Sequence, residues 1–221
     1  MNCIACKTKM NYWMSKVLIE KYEAEYFRCK NCGMIRIKDP YWLTEAYSNP
    51  ELELRLDTGR FNRAKYNANF TNQFIQENFI NKKMFLDFGC GQEGIFVKQM
   101  REKGHEFFGY DKYHTKVAFH KELSGKYAMI TAFEVFEHLT DPIETIKTVM
   151  QHTDIFMIGT MMPNKNTPPS PTWNYYSPKA GQHIIFYTQE TFENIAKNLD
   201  LDVDFYNKNS MFGNIAVLLR S

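Results

Sequence analysis

The sequence lacks long hydrophobic runs and lacks an excess of charge of one sign. No stretch approaches the about 18 consecutive apolar residues that a membrane-spanning helix requires. Residues 1–25 contain no basic segment followed by an apolar one, which is the pattern of a secretory signal, and neither end carries a lipidation motif. The 27 Lys and Arg residues are balanced by 25 Asp and Glu residues, so the net charge of +2 gives no strong overall attraction to nucleic acid or membrane. We therefore expect a cytoplasmic protein.

Cysteine is scarce, with five residues in 221, so the placement of each is informative. Four of them form two pairs of the same spacing, Cys3-x-x-Cys6 and Cys29-x-x-Cys32, and Gly33 follows the second pair. Two such turns present four thiolates to one ion at tetrahedral spacing and leave no open position for catalysis. The alternative, two disulfides, requires an oxidising compartment, for which the sequence gives no sign. The pattern predicts a structural zinc site.

The chain divides into a small N-terminal module and a larger domain. We expect residues 1–40 to form a zinc ribbon whose stability depends mostly on the ion, because so short a segment buries little apolar surface. Residues 41–221 form the main domain, and its first part, residues 41–82, has a mostly helical pattern. Short apolar strands then alternate with helices, which predicts an α/β domain with a mostly parallel sheet. The last two strands, near residues 202–206 and 214–219, are too close for a crossover helix and should pair antiparallel.

A glycine-rich turn follows the first strand of the main domain. Gly89, Gly91 and Gly94 precede a helix, and Asp111 ends the next strand, 20 residues after Gly91. Glycines let a ligand approach the backbone, the helix N-terminus faces the ligand, and an acid at the second strand end can bind a ribose diol. The spacing also satisfies the dinucleotide fingerprint for NAD. Asp87, two residues before the first glycine, favours instead a cofactor with an amino group, and too little chain remains for a separate substrate domain.

Several sequence blocks together resemble class I S-adenosylmethionine-dependent methyltransferases, over about residues 60–221. They are Asp87-x-Gly89-Cys90-Gly91, Asp111, Glu134-Val135-Phe136-Glu137-His138-Leu139-Thr140-Asp141-Pro142, and Gly181-Gln182-His183-Ile184-Ile185-Phe186-Tyr187-Thr188. More narrowly, the chain is similar to the group that carries an N-terminal zinc ribbon and often modifies sugars or other small metabolites. The resemblance implies a Rossmann-like, mostly parallel sheet with an antiparallel C-terminal strand pair, preceded by the small zinc ribbon.

The resemblance also implies which residues bind the cofactor. The residues that match the family's S-adenosylmethionine site are Asp87, Gly89, Gly91, Asp111, Phe133 and Glu134. Many members have a glycine two positions after the one that matches Gly91, where this chain has Glu93. No residue between Asp111 and Tyr127 clearly matches the family's adenine-binding acid.

A sulfonium methyl group is already a strong electrophile, so the protein mainly needs to align an acceptor and, where the acceptor loses a proton, to supply a base. His138 and His183 are the candidate bases, with Glu137 beside them, because they lie on the side where the parallel strands end. A second interpretation uses Glu134, Glu137 and His138 to hold a Mg²⁺-like cation, as in some quinone-precursor O-methyltransferases that this block resembles. The long loop at residues 163–178 contains aromatic residues that either stack on a flat acceptor or form a lid.

Three functions stay open from the sequence. The leading one is methylation of a small molecule, such as a nucleotide-linked sugar or a glycan precursor. The second is an RNA methyltransferase that uses the ribbon to contact RNA, and the third is a cofactor-binding scaffold without turnover. The charges of the N-terminal module do not form the dense basic face expected for RNA. The basic residues are Lys7, Lys9, Lys16, Arg28, Lys30, Arg36 and Lys38, and the acidic ones are Glu20, Glu23, Glu25 and Asp39.

Overall fold

The computed structural model describes residues 1–48, 57–81, 83–206 and 213–220. A six-stranded sheet forms the centre of the main domain, and helices cover its faces. The strands of this sheet are β4 (Met84–Phe88), β5 (Glu106–Tyr110), β6 (Met129–Phe133), β7 (Ile155–Thr160), β9 (Asp202–Tyr206) and β10 (Asn214–Leu219). The helices of the described chain are α1 (Leu43–Ala46), α2 (Arg60–Asn78), α3 (Ile95–Glu102), α4 (Pro142–Val149) and α5 (Gln189–Asn198).

The strand order is β5-β4-β6-β7-β10-β9. The pairs β4–β5, β4–β6 and β6–β7 are parallel, whereas β10 pairs antiparallel with both β7 and β9. The prediction of a mostly parallel sheet with an antiparallel C-terminal strand pair is confirmed. The chain passes from β4 outward to β5 and then returns to the other side of β4 to form β6 and β7. Ligands bind in such sheets at the carboxyl ends of the strands beside this reversal, here β4 and β6.

Local sequence explains where the helices on this sheet begin. The Asp141 side chain accepts a hydrogen bond from the Glu144 amide at 3.1 Å, and Pro142 occupies the first helical position of α4. Helix α5 begins after Thr188, whose hydroxyl accepts from the Thr191 amide at 3.2 Å. Both starts lie at the carboxyl edge of the sheet and fix the end of the preceding loop there.

A second sheet of four strands contains the N-terminal module. Its order is β1 (Asn11–Leu18), β2 (Tyr22–Arg28), β3 (Ile35–Ile37) and β8 (Ile185–Phe186), all antiparallel. Strand β8 comes from the main domain, so the module adds its strands to a segment about 150 residues away along the sequence.

The N-terminal module and the main domain share one hydrophobic core. Tyr26, Met34 and Ile35 of the module are fully buried in the same cluster as Phe186 and Phe192 of the main domain. The expectation that the stability of the module depends mostly on the ion took the module by itself, whereas in the structure its apolar side chains are covered by β8 and α5. Packing against the main domain therefore contributes to the stability of the module.

The helical pattern predicted for residues 41–82 is confirmed only in part. The structure has the short helix α1 and the long helix α2 in this range, while residues 49–56 and residue 82 lie outside the described residues. Within the residues that the structure describes, no helix is both long enough and apolar enough to cross a membrane.

Candidate functional site

The four paired cysteines lie together in the N-terminal module. The Sγ atoms of Cys3 and Cys32 are 3.5 Å apart, those of Cys6 and Cys29 are 3.4 Å apart, and all four sulfurs lie within 4.8 Å of one another. Both short distances join one Cys-x-x-Cys turn to the other. Four sulfurs at about 2.3 Å from a zinc ion would lie about 3.8 Å from each other, so the donor set fits a tetrahedral metal.

The two cysteine turns have the same backbone conformation. The residue after each second cysteine has a positive φ, 62° at Lys7 and 82° at Gly33. Each of these residues donates its amide to the carbonyl of the first cysteine in its pair, Cys3 or Cys29, at 3.0 Å. This repeated turn places the two thiols of each pair on one side, as a shared metal requires.

The glycine-rich turn lies at the carboxyl end of β4. Gly89, Gly91 and Gly94 all have positive φ, at 74°, 67° and 56°, a conformation that residues with a Cβ rarely adopt. At Gly91 an added Cβ would meet nothing within 4 Å, so open space lies beside the backbone there. A ligand can therefore approach this part of the turn closely.

Asp111 faces the glycine turn from the end of β5. Its Oδ2 accepts a hydrogen bond from the Gly91 amide at 3.0 Å, and its Oδ1 accepts from the amides of Tyr113 and His114 at 2.8 and 3.0 Å. These bonds fix the carboxylate beside the turn, as the sequence spacing predicted. A carboxylate has about four lone-pair sites, so acceptor capacity is left for a ligand.

Asp87 lies below the turn and is only 4% exposed. Its Oδ1 accepts a hydrogen bond of 2.7 Å from the Thr131 hydroxyl on β6. Burial raises the pKa of Asp87 to about 7, the nearby charge of Asp111 adds to the shift, and the Thr131 bond opposes it. A cationic group placed beside Asp87 would reverse the effect of burial and favour the carboxylate.

Phe133 ends β6, and Glu134 follows it at the same edge of the sheet. The Phe133 ring packs on Phe96, with centroids 4.8 Å apart. Glu134 has a positive φ of 56°, and one of its carboxylate oxygens lies 3.4 Å from Arg63 Nε. Burial and the charge of Glu137 raise the pKa of Glu134 well above its usual range, although Arg63 opposes the shift. Arg63 of α2 was not recognised from the sequence.

Glu93, the residue at which the turn departs from the family pattern, forms an ion pair with α2. The distance from Arg60 Nε to Glu93 Oε2 is 2.7 Å. The pair is partly buried, with about a quarter of Arg60 and a third of Glu93 exposed, so it ties the turn to α2. The charge of Glu93 is therefore partnered inside the protein.

Glu137 is fully buried in the 3-10 turn that follows β6. Its Oε1 accepts a hydrogen bond of 2.6 Å from the Tyr175 hydroxyl, and its Oε2 accepts one of 3.0 Å from the Thr160 hydroxyl. Tyr175 belongs to the long aromatic loop, and Thr160 ends β7. Burial raises the pKa of Tyr175 well above its ordinary value, and the charges of Glu134 and Glu137 add to this effect.

His138 and His183 lie beside Glu137, as the sequence predicted. The two imidazole rings meet edge to face with centroids 4.8 Å apart, and Glu137, His138 and His183 each offer a ligand atom within 4.8 Å of the others. His183 Nδ1 lies 2.7 Å from the backbone carbonyl oxygen of Tyr175. Burial lowers the pKa of His138 to about 4, and the neighbouring His183 contributes to the shift, so His138 is neutral at pH 7.

Tyr47 is the residue after α1, and it contacts both His138 and the loop that follows Asp111. Its hydroxyl lies 3.1 Å from His138 Nδ1, and its ring stacks on Tyr113 with a centroid distance of 6.3 Å. No motif marked this residue, because it reaches the site from far away in the sequence. Tyr47 therefore contacts both His138 and the loop that holds Asp111.

Comparison with known proteins identifies the matching part of the chain. The model of a family described as "Methyltransferase domain" matches residues 60–204. No curated protein sequence matches the chain.

Solved structures share the fold at low sequence identity. The plantazolicin methyltransferase BpumL in complex with SAH has a TM-score of 0.58 and 13% identity, over 82% of this chain and 95% of its own. Magnesium protoporphyrin IX methyltransferase from Synechocystis PCC 6803 with bound SAH has a TM-score of 0.56 and 11% identity, over 83% of this chain and 100% of its own. Mitomycin 7-O-methyltransferase MmcR has a TM-score of 0.60 and 8% identity, over 83% of this chain and 61% of its own.

Proposed function

This chain belongs to the methyltransferase domain family and is an S-adenosylmethionine-dependent methyltransferase, and we propose that its methyl acceptor is a small molecule. The observation that supports this proposal is the arrangement at the carboxyl edge of the sheet. Asp111 and the open backbone at Gly91 can hold a ribose-containing cofactor, and the pair His138 and His183 lies next to them across Tyr47. Nucleotide-linked sugars and glycan precursors are the first acceptors to screen.

Each cofactor-side residue has a role that follows from its surroundings. We expect Asp111 to accept hydrogen bonds from the ribose hydroxyls and Gly89 and Gly91 to allow the cofactor close to the backbone. We expect the acidic groups of Asp87 and Glu134 to bind the amine of the methionine part, and Phe133, whose ring packs on Phe96, to contact the cofactor beside them. When bound, S-adenosylmethionine supplies an electrophilic methyl group.

The histidine pair can take a proton from the acceptor. His183 Nδ1 faces a carbonyl oxygen, which accepts only, so this nitrogen carries the hydrogen and Nε2 of the neutral ring keeps its lone pair. We propose that His183 Nε2 acts as the base, while His138 and Glu137 shape the acceptor site. Tyr47 and Tyr175 exclude water from it.

Calorimetric titration with S-adenosylmethionine and S-adenosylhomocysteine tests the cofactor site. We expect micromolar binding that Asp111→Ala weakens by about 10- to 100-fold, because hydrogen bonds to a charged group contribute about 1.5–3 kcal/mol. Asp204→Ala is the matched control, since this exposed acid lies on β9 at the opposite edge of the sheet. If neither sulfur compound binds, or if NADH binds more tightly, the proposed S-adenosylmethionine site is overturned.

We also propose that Cys3, Cys6, Cys29 and Cys32 bind a structural zinc ion. Support comes from the donor set: four thiols lie within 4.8 Å of one another, and distances of 3.4 and 3.5 Å join one turn to the other. Metal analysis of the purified protein should give one zinc per chain, and Cys6→Ser should lower this content. Cys90→Ser is the control, because Cys90 lies in the glycine turn away from the cluster.

A divalent cation at the histidine pair is a second possibility for the chemistry. The structure groups Glu137, His138 and His183, whereas Glu134, which the sequence interpretation included, lies against Arg63. Without Glu134 the group has one carboxylate and two imidazoles, and because Mg²⁺ prefers oxygen ligands, this favours the proton-transfer role over Mg²⁺ binding. Methyl transfer that is unchanged by added Mg²⁺ would support the base. A strict requirement for Mg²⁺ would support the cation.

A further inference from the structure

The acceptor side of the active site is built on the cysteine module. The segment from residue 163 to residue 188 carries Tyr175 and His183 and lies against residues 1–48 along much of its length. We propose that the metal bound by the four cysteines organises this segment and thereby positions His183 and Tyr175 for the acceptor. The inference rests on the methyltransferase function and on the metal site proposed above, and it assigns the metal a task in the reaction that is separate from cofactor binding.

Backbone pairing joins the second cysteine turn to the residues that follow His183. Strand β3 begins three residues after Cys32, and it pairs with β8, with Ile35 opposite Phe186. Ile184, between His183 and β8, accepts from the Ile37 amide at 2.9 Å and donates its own amide to the Glu137 carbonyl at 2.8 Å. Displacement of β3 would therefore be transmitted directly to the acceptor side of the site.

Helix α5 contacts both cysteine turns at their carbonyl groups. The Thr188 hydroxyl at its start donates to the Cys32 carbonyl, and the Thr191 hydroxyl lies 3.4 Å from the same oxygen. Asn198 at the other end donates its amide to the Ala5 carbonyl at 2.5 Å. The metal would fix the backbone conformation of each cysteine turn. The carbonyl groups that α5 binds are therefore held in position only when both turns are formed.

Four more hydrogen bonds attach the acceptor segment to the N-terminal residues. They run from Arg28 Nη2 to the Lys165 carbonyl at 2.5 Å, from the Ile19 amide to the Pro178 carbonyl at 2.8 Å, from Trp42 Nε1 to the Gly181 carbonyl at 2.8 Å, and from Gln182 Nε2 to the Ala46 carbonyl at 3.0 Å. Between these points the loop has little regular structure of its own, so its shape depends on the surface beneath it.

The cofactor side has separate supports. The hydrogen bonds described for Asp87 and Asp111 come from Thr131, Gly91, Tyr113 and His114, all within the parallel part of the main sheet and its loops. Loss of the metal should therefore loosen the acceptor side and leave the cofactor side formed. A metal needed only for overall folding would instead affect both sides together.

Hydrogen exchange and cofactor titration on the same samples distinguish these outcomes. The samples are the zinc-loaded full chain, the full chain after removal of zinc with a chelator, the latter with zinc restored, and the Cys6→Ser variant. Without metal, we expect amides at 184–188 to exchange about tenfold faster or more, because local opening becomes easier, while the dissociation constant for S-adenosylhomocysteine changes by less than about threefold. Modification of His183 by diethyl pyrocarbonate should become faster, and restored zinc should reverse both changes.

Two results would overturn the proposal. One is unchanged protection at 184–188 in protein shown to be free of metal, and the other is loss of cofactor binding together with loss of protection. Failure of the zinc-loaded chain itself to bind S-adenosylhomocysteine would instead contradict the methyltransferase function. A second variant tests the link through α5 without touching the metal or the Thr188 cap: Asn198→Ala removes the bond to the Ala5 carbonyl and should raise exchange at 184–188 with zinc content unchanged.

Discussion

At the scale of single residues, we expect Asp87 to make cofactor binding depend on pH. Its pKa is raised from 3.8 to about 7 by burial, so the folded protein holds this proton more tightly than the unfolded chain does. The stability from this group is complete below about pH 4 and is lost as pH rises through about 7. A bound ammonium group needs the carboxylate, so the affinity for S-adenosylmethionine should rise between about pH 5.5 and 7.5.

Calorimetry in buffers of different ionisation heat measures the proton that Asp87 releases. At pH 6 we expect up to about one proton released per cofactor bound, because the carboxyl is mostly protonated beforehand. Asp87→Asn should abolish this release and weaken binding by about tenfold or more, whereas Asp204→Asn should change neither quantity. Release that persists in Asp87→Asn would assign the titrating group elsewhere.

Tyr175 is the main hydrogen-bond donor to the buried acid Glu137. Tyr175→Phe removes the 2.6 Å bond to Glu137, and of the two hydrogen bonds described for Glu137 the one from Thr160 remains. We therefore expect the free energy of unfolding to fall by about 1.5–3 kcal/mol. Chemical denaturation measures this loss. Tyr12→Phe is the control, because the Tyr12 side chain is 58% exposed and its hydroxyl bonds to Ser15 at the surface, and its effect should be within about 0.5 kcal/mol.

Residues within motifs could be predicted from the sequence, and residues that reach the site from elsewhere could not. Asp87, Asp111 and His138 stand at strand ends, where chain order alone places them at one edge of the sheet. Tyr47 and Arg63 arrive through tertiary packing of α1 and α2, and nothing in their local sequence indicates which face of the domain those helices cover. Their contacts to His138 and Glu134 are visible only in the folded protein.

At the scale of elements, the hairpin of β1 and β2 was missed because its turn lacks the usual residues. The Lys21 amide bonds to the Leu18 carbonyl at 3.0 Å, and the central residues Ile19 and Glu20 have φ of 44° and 57°. Such turns favour Asn and Gly, whereas residues with a large side chain resist positive φ. The sequence therefore carries no hairpin signal at the place where the chain reverses.

Relieving this turn should stabilise the module. Glu20 is exposed, and Glu20→Gly should raise the free energy of unfolding by about 0.5–1 kcal/mol, because glycine adopts positive φ without steric cost. Glu23→Gly, at an equally exposed position within β2, should lower it by a similar amount, because glycine weakens a strand. If chemical denaturation shows that both variants change the free energy of unfolding in the same direction, this account of the turn is wrong.

Strand β8 shows why the join between module and domain was also not predicted. Two residues, Ile185 and Phe186, give no periodic pattern, and their partner β3 lies about 150 residues earlier in the chain. The capped helices α4 and α5 were predictable because their signals are local, at Asp141 and Thr188. Local signals thus specified the main domain element by element, while the placement of the module depended on long-range pairing.

At the scale of the whole molecule, the sequence boundary near residue 40 does not coincide with a boundary in the core. Tyr26 packs on Tyr176 and Phe186, with ring centroids 5.4 and 6.3 Å apart, and all three side chains are almost fully buried. A chain that begins at residue 41 would expose Phe186 and leave β8 without its partner. The division into residues 1–40 and 41–221 therefore separates sequence motifs, and we do not expect the two parts to fold independently.

A fragment of residues 41–221 should consequently fail to fold on its own. We expect it to lack a cooperative thermal transition by circular dichroism and to bind no S-adenosylhomocysteine, because the exposed core of several aromatic side chains costs more than the typical stability of about 5–15 kcal/mol. Addition of the separately made, zinc-loaded residues 1–40 should restore part of both signals, since strand β3 can pair with β8 between two chains. A cooperative transition of the fragment alone, with cofactor affinity intact, would show that the domain folds independently and that the module only adds to its surface.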